Sequence, residues 1–208
     1  MVKASGSSPK YKSVFAPGAQ NLAPPSLDRA GGFLIHMNLQ SSDFELFGLP
    51  SEFAQDAASL AARWKDLQRE AHPDKFVAQG VSAQRLAMQW SVRINEAYQR
   101  LKDPLKRATY LCELHGEPIL AETNTSMPAE FLMQQMQWRE SLDNAETIDD
   151  LEKIAMESNF SQHNSLLKIE QLIDISKDFK GAAQVVRSLM FIRRFAGEVD
   201  ARIDQLQQ

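Results

Sequence analysis

Apolar residues recur three to four positions apart along most of this chain, and proline, glycine and capping residues cut the runs into helix-length pieces. Phe44, Leu46, Phe47 and Leu49 form a short apolar cluster closed by Gly48 and Pro50, which predicts one or two helical turns. Asp56 is placed to cap a second helix whose buried stripe is Leu60, Trp64, Leu67 and Ala71. A third helix over residues 82–102 has the stripe Ala83, Leu86, Trp90, Ile94, Ala97 and Leu101. Asp103-Pro104 reads as a cap followed by proline at the first helical position. The fourth helix then buries Leu105, Ala108, Leu111 and Cys112, and Gly116 stops it.

Residues 117–126 lack a clean period and read as a linker. Ser126-Met127-Pro128 opens a fifth helix reaching about residue 144, and Thr147 with Asp150 resembles a capping box opening a long sixth helix to about 176. In the seventh, over residues 182–207, Ala182, Val185, Leu189, Ile192, Ala196, Val199, Ile203 and Leu206 alternate three and four apart, the seam of a bundle. No strand pattern of any length is present. The expected fold is all-α: residues 1–40 a disordered leader or tag, 41–116 a small helical domain, 117–126 a linker, and 127–208 a three-helix bundle.

Between the second and third helices stands His72-Pro73-Asp74-Lys75. Proline pushes the residue before it out of the α region, so the second helix should end near Ala71 or His72. The four residues then lie at the exposed tip of an antiparallel hairpin. His72 and Asp74 could be an acid–base pair, but no third group orients them and a hairpin tip implies no pocket. An isolated Asp in a loop is commonly only a cap, which leaves His, Pro and Lys unexplained. A docking tip explains all four, because an exposed carboxylate can reach a partner's Arg or Lys. Arg63, Lys65 and Arg69 on the polar side of the second helix, continued by Lys75, would steer an acidic partner.

Charge supports that asymmetry. Residues 51–116 hold 10 Lys/Arg against 8 Asp/Glu, whereas residues 117–208 hold 9 against 16. The whole chain, at −4, offers no basic field for nucleic acid, and no apolar run is long enough for a membrane span. The single cysteine, Cys112, excludes an internal disulfide framework and fits a reducing compartment. With His115 it forms one C-x-x-H without a second pair, so no metal site is expected. No Gly-rich phosphate loop is present, so the chain is not expected to bind ATP itself. Residues 1–36 contain five Ser, four Pro and four Gly and show no sustained period. A mitochondrial presequence is the rival to a tag or upstream start there, but one Arg and four Pro suit an amphipathic Arg-rich helix poorly.

The fifth helix carries apolar residues on two faces. Phe131, Trp138 and Leu142 can serve the bundle core, while Leu132, Met133 and Met136 fall elsewhere, beside Gln137, Glu140 and Asn144. A helix in a three-helix bundle buries one stripe, so the second is expected to be exposed: a Met-rich, adaptable protein-binding patch with a polar rim. The competing expectation is that it packs on the first domain.

Leu67-Gln68-Arg69-Glu70-Ala71-His72-Pro73-Asp74-Lys75 between two such helices resembles the J-domain of DnaJ-type co-chaperones. More narrowly, the chain resembles the HscB family, through residues 44–50 (Phe-Glu-Leu-Phe-Gly-Leu-Pro), 72–76, 94–98 (Ile-Asn-Glu-Ala-Tyr), 104–108 (Pro-Leu-Lys-Arg-Ala), 111–116 and 131–133. The resemblance implies a non-enzymatic co-chaperone of iron–sulfur cluster assembly without a cofactor of its own. Its J-domain would dock on a DnaK-type chaperone of the HscA type, and His72, Pro73 and Asp74 would trigger ATP hydrolysis there. Its bundle would bind the scaffold protein IscU through the positions matching Leu132, Met133, Met136, Gln137, Glu140, Asn144 and Phe191. Two departures stand out: Ala71 occupies a position where the family often has Tyr, and Gln137 and Asn144 replace acidic residues. One cysteine cannot supply the paired-cysteine module of animal mitochondrial members, which favours a bacterial cytoplasmic protein over a mitochondrial matrix one. A structural adaptor, or a general J-protein with another client, is the alternative.

Overall fold

The structure, a computed structural model, describes residues 40–119 and 127–207; residues 1–39 of the expected leader and residues 120–126 of the expected linker lie outside the described residues. Among the described residues every regular element is helical. They are α1 (Asp43–Phe47), α2 (Ala57–Glu70), a 3₁₀ segment (Pro73–Gln79), α3 (Val81–Lys102), α4 (Pro104–Leu114), α5 (Ala129–Asp143), α6 (Ile148–Glu170), a π turn (Gln171–Ile175) and α7 (Phe179–Leu206).

Local chemistry sets most boundaries. Ser42 and Glu45 close a reciprocal capping box on α1, and Gly48 ends it in the left-handed conformation at φ 63°. Asp56 accepts from the Ser59 N–H at 2.7 Å, and Asp103 accepts from the Leu105 and Lys106 N–H groups at 2.8 and 3.2 Å. Thr147 caps α6 through the Asp150 N–H at 3.2 Å. The seventh helix begins earlier than the 182 expected from periodicity. Its N-cap is Asp178, whose carboxylate takes the Gly181 N–H at 2.9 Å. Gly181 lies in the first turn of α7, where a Cβ would collide with that capping carboxylate.

The α2–α3 hairpin packs with α1 and α4 around Phe44, Phe47, Leu60, Leu67, Trp90, Ile94, Leu101 and Leu111. Leu86, expected in this core, is exposed, and Ala87 is buried in its place. Near the hairpin tip α3 faces the 3₁₀ segment, so its buried side rotates away from Leu86. α5, α6 and α7 form the second unit, cored by Trp138, Leu151, Ile154, Ile192, Phe195 and Val199.

The near ends of α6 and α7 do not stay within that bundle. Ile169, Ile173, Ala182, Ala183, Val186 and Leu189 join the core of the first unit, mainly against α4, and Ile119 after α4 is buried with them. The tail of the sixth helix, expected to run regularly to about 176, passes through the π turn. That turn carries Asp174, whose carboxylate accepts the N–H groups of Phe53 and Ala54 at 2.6 and 2.8 Å. Further ties are Arg187 Nη1 to the Ile119 carbonyl at 3.2 Å and Arg193 to Asp103 at 3.0 Å.

Candidate functional site

The hairpin tip is exposed yet supported from beneath. α2 ends at Glu70, and Ala71 is buried where its N–H closes on the Leu67 carbonyl. The Ser91 hydroxyl of α3 donates to the Ala71 carbonyl at 3.0 Å. Gln68 Nε2 donates to the Ser91 carbonyl at 3.2 Å and to Asn95 Oδ1 at 2.7 Å, and Asn95 Oδ1 also accepts from Trp64 Nε1 at 2.9 Å. This ladder pins the end of α2 to α3. Pro73 then starts the 3₁₀ segment, and Phe76 anchors it in the interior.

On this support His72 and Asp74 point outward. His72 Nδ1 accepts the Asp74 N–H at 3.3 Å and lies 3.6 Å from Asp74 Oδ2, whose side chain is 85% exposed. The carboxylate needs none of its reach for the protein's own core, and the hydrogen-bonded turn beneath holds the backbone that carries it. Lys75 is exposed beside it, and Lys65 and Arg69 are exposed on α2. Arg69 pairs with Asp66 at 2.7 Å, a surface contact of little energetic weight. Arg63 is different: it is half-buried, and its Nε donates to the Phe47 carbonyl at 3.1 Å, tying α1 to α2. Nothing in the sequence assigns a bracing role to Ser91, Gln68 and Asn95, although Gln68 and Asn95 fall within the stretches that carry the family resemblance. The available signal was two polar residues on α3, Ser91 and Asn95, spaced one turn apart beside the buried Trp90 and Ile94.

The second region lies between α5 and α7. Trp138 and Phe195 stack at 5.3 Å between ring centroids and form the floor of a groove of about 830 Å³. Leu132, Met136 and Glu140 from α5 and Asn144 at its C-cap line it together with Phe191. Leu132, Met133, Met136 and Phe191 are 45%, 63%, 72% and 40% exposed, while Phe131 and Leu142 pack on the bundle core with Trp138. The second stripe is therefore open to solvent and is not covered by the first unit. Met133 and Gln137 are exposed beyond the groove's lining. An ion pair of Arg139 with Glu198 stands at one side of the groove, with Arg139 also over the Phe195 ring at 5.8 Å.

Both halves find counterparts among known proteins. A family model described as the HSCB C-terminal oligomerisation domain matches residues 127–200. The co-chaperone protein HscB homologue of Burkholderia multivorans is 47% identical over 174 residues, covering 82% of this chain and 99% of the relative. The chain belongs to the HscB family of J-type co-chaperones. The Burkholderia thailandensis homologue is 45% identical over the same share of both chains. Among solved structures, the chaperone HscB from Vibrio cholerae aligns with a TM-score of 0.68 at 34% identity, covering 80% of this chain and 99% of that one. The human co-chaperone HscB aligns with a TM-score of 0.72 at 26% identity, covering 82% of this chain and 84% of that one. The all-α arrangement of an HscB protein, a J-domain with a C-terminal helical bundle, is thus the arrangement of this chain.

Cys112 and His115 serve packing. Burial pushes the Cys112 thiol up to about 11, with the charges of Glu113 and Glu117 adding to the shift, so it stays protonated at neutral pH. Its sulfur lies 3.7 Å from the Phe179 carbonyl, and the His115 ring stacks on Phe179 at 3.6 Å. No helix among the described residues is long and apolar enough to cross a membrane.

Proposed function

We propose that this protein is a non-enzymatic co-chaperone that stimulates the ATPase of a DnaK-type chaperone of the HscA kind and delivers the iron–sulfur scaffold IscU to it, in the cytoplasm of a bacterium. His72, Pro73, Asp74 and Lys75 act as the docking tip, and Lys65, Arg69 and Arg63 steer the encounter. Leu132, Met133, Met136, Gln137, Glu140, Asn144 and Phe191 hold the scaffold. The observation that carries this reading is the pairing of two exposed surfaces on units that share one core: an outward carboxylate at a braced tip and an apolar groove between α5 and α7. A shared core lets one surface hold a client while the other engages the ATPase, with little freedom lost between them. The description of the matched C-terminal domain extends the reading to self-association.

Single-turnover ATP hydrolysis by the partner chaperone tests it, with this protein, with IscU and with both. Stimulation by this protein that IscU increases further is the expected result. Stimulation unaffected by IscU would make the protein a general J-protein with another client. No stimulation at all would overturn the docking assignment.

A further inference from the structure

α6 carries a second exposed apolar ridge, apart from the groove. Met156, Phe160 and Leu167 are 66%, 68% and 52% exposed. With the exposed His163 they stand at spacings of four, three and four, so all four lie within one narrow stripe of the helix. The outer face of a helix is ordinarily charged. Here residues 158–167 contain no Asp, Glu, Lys or Arg, although Asp149, Asp150, Glu152, Lys153 and Glu157 precede them and Lys168 and Glu170 follow. Depletion of charge at the centre and charge at the edges is the composition of an interface.

We propose that this ridge is where two copies of the chain associate, α6 against α6 and antiparallel. Three observations select a second copy over another occupant. In an antiparallel two-fold pair residue i of one copy meets residue j of the other, and only residues beside the axis lie close to their own copies. A charge there would sit against a like charge, and residues 158–167, which centre near the axis between Ser161 and Gln162, carry none. The spacing of four, three, four reads the same from either end, so an antiparallel copy brings Met156 opposite Leu167 and Phe160 opposite His163. The ridge is also convex, the side chains of one helix standing out from its axis, and it suits a matching ridge; the groove between α5 and α7 is concave and suits an inserted segment. The inference deepens the self-association part of the reading above and leaves the chaperone and scaffold assignments untouched.

Sedimentation velocity of the full chain, from low micromolar to several hundred micromolar, tests it. A concentration-dependent dimer is expected, and Phe160→Glu with Leu167→Glu should raise its dissociation constant at least about tenfold. These side chains are exposed, so the variant should keep its helicity and melting temperature. Leu132→Ala with Met136→Ala should leave the dimer intact. His163→Cys lies next to the axis and should form an intermolecular disulfide under mild oxidation, while the buried Cys112 does not. A protein that stays monomeric throughout would overturn self-association. A dimer that survives the ridge substitutions, or in which Cys at 163 does not cross-link, would overturn the surface. Neither outcome bears on ATPase stimulation, which is measured separately.

Discussion

Arg193 of α7 and Asp103 at the start of α4, 90 residues apart in sequence, meet with one guanidinium nitrogen 3.0 Å from each carboxylate oxygen. The same carboxylate caps α4 through the Leu105 and Lys106 N–H groups. One side chain thus ends a local helix and fastens the second unit to the first. Burial pushes the Asp103 carboxyl up, but the Arg193 hydrogen bond, the Lys106 N–H, the Arg193 charge and the Leu105 N–H outweigh it and hold it below its ordinary 3.8. A depressed carboxylate contributes stability above its unfolded-state value, and that contribution is lost as pH falls through the folded one. The loss from this site therefore falls below about pH 4. Asp103→Asn keeps a good cap and should flatten that part of the acid-denaturation curve. At neutral pH Asp103→Ala should cost about 1 kcal/mol for the cap and at most about 1 more for the partly exposed pair, whereas Arg193→Ala should cost only the latter. Urea melts across pH check both.

Asp74→Asn should abolish stimulation of the chaperone ATPase while leaving the melting temperature unchanged. The Asp74 side chain is 85% exposed and its contacts are confined to the His72 turn. Losing a charge-assisted contact to the partner should cost on the order of 2 kcal/mol or more in docking. A folded variant with full stimulation would remove the tip from the mechanism.

The steering patch divides by structure. Lys65→Ala with Arg69→Ala should slow association with the chaperone and reduce its salt dependence at unchanged stability, because both residues are exposed. Adding Arg63→Ala should slow it further but also lower the melting temperature, since Arg63 holds the Phe47 carbonyl. Stopped-flow association over a salt series, beside thermal melts, separates the two effects.

Leu132→Ala, Met133→Ala and Met136→Ala together should weaken IscU binding about tenfold or more, roughly 1.4 kcal/mol at the threshold. Their exposure means little stability should be lost. Trp138→Ala, by contrast, removes the stacked partner of Phe195 from the bundle core and should cost on the order of 3–5 kcal/mol. A triple variant that melts like Trp138→Ala yet binds normally would show the stripe to be structural.

Much of this protein was determined by the sequence alone, because helices are specified locally. Asp56, Asp103 and Thr147 cap the helices they were expected to cap, since a side chain need reach only two or three residues to satisfy an orphan N–H. The stripes Leu60-Leu67-Ala71 and Trp90-Ile94-Ala97-Leu101 are buried because period and face are fixed by the helix itself. The two-faced pattern of α5 already separated Trp138 from Leu132 and Met136. Tertiary structure decided what depends on residues far apart in the chain. Nothing near Leu86 shows that the 3₁₀ segment turns α3 away from it. No local pattern shows that the near ends of α6 and α7 complete the core around α4. The partners of Asp174, Phe53 and Ala54, lie 121 and 120 positions away. Phe191 reaches the groove only because α7 packs back along α5. Periodicity says which side of a helix is apolar; only packing says what that side meets and which apolar faces stay open to solvent.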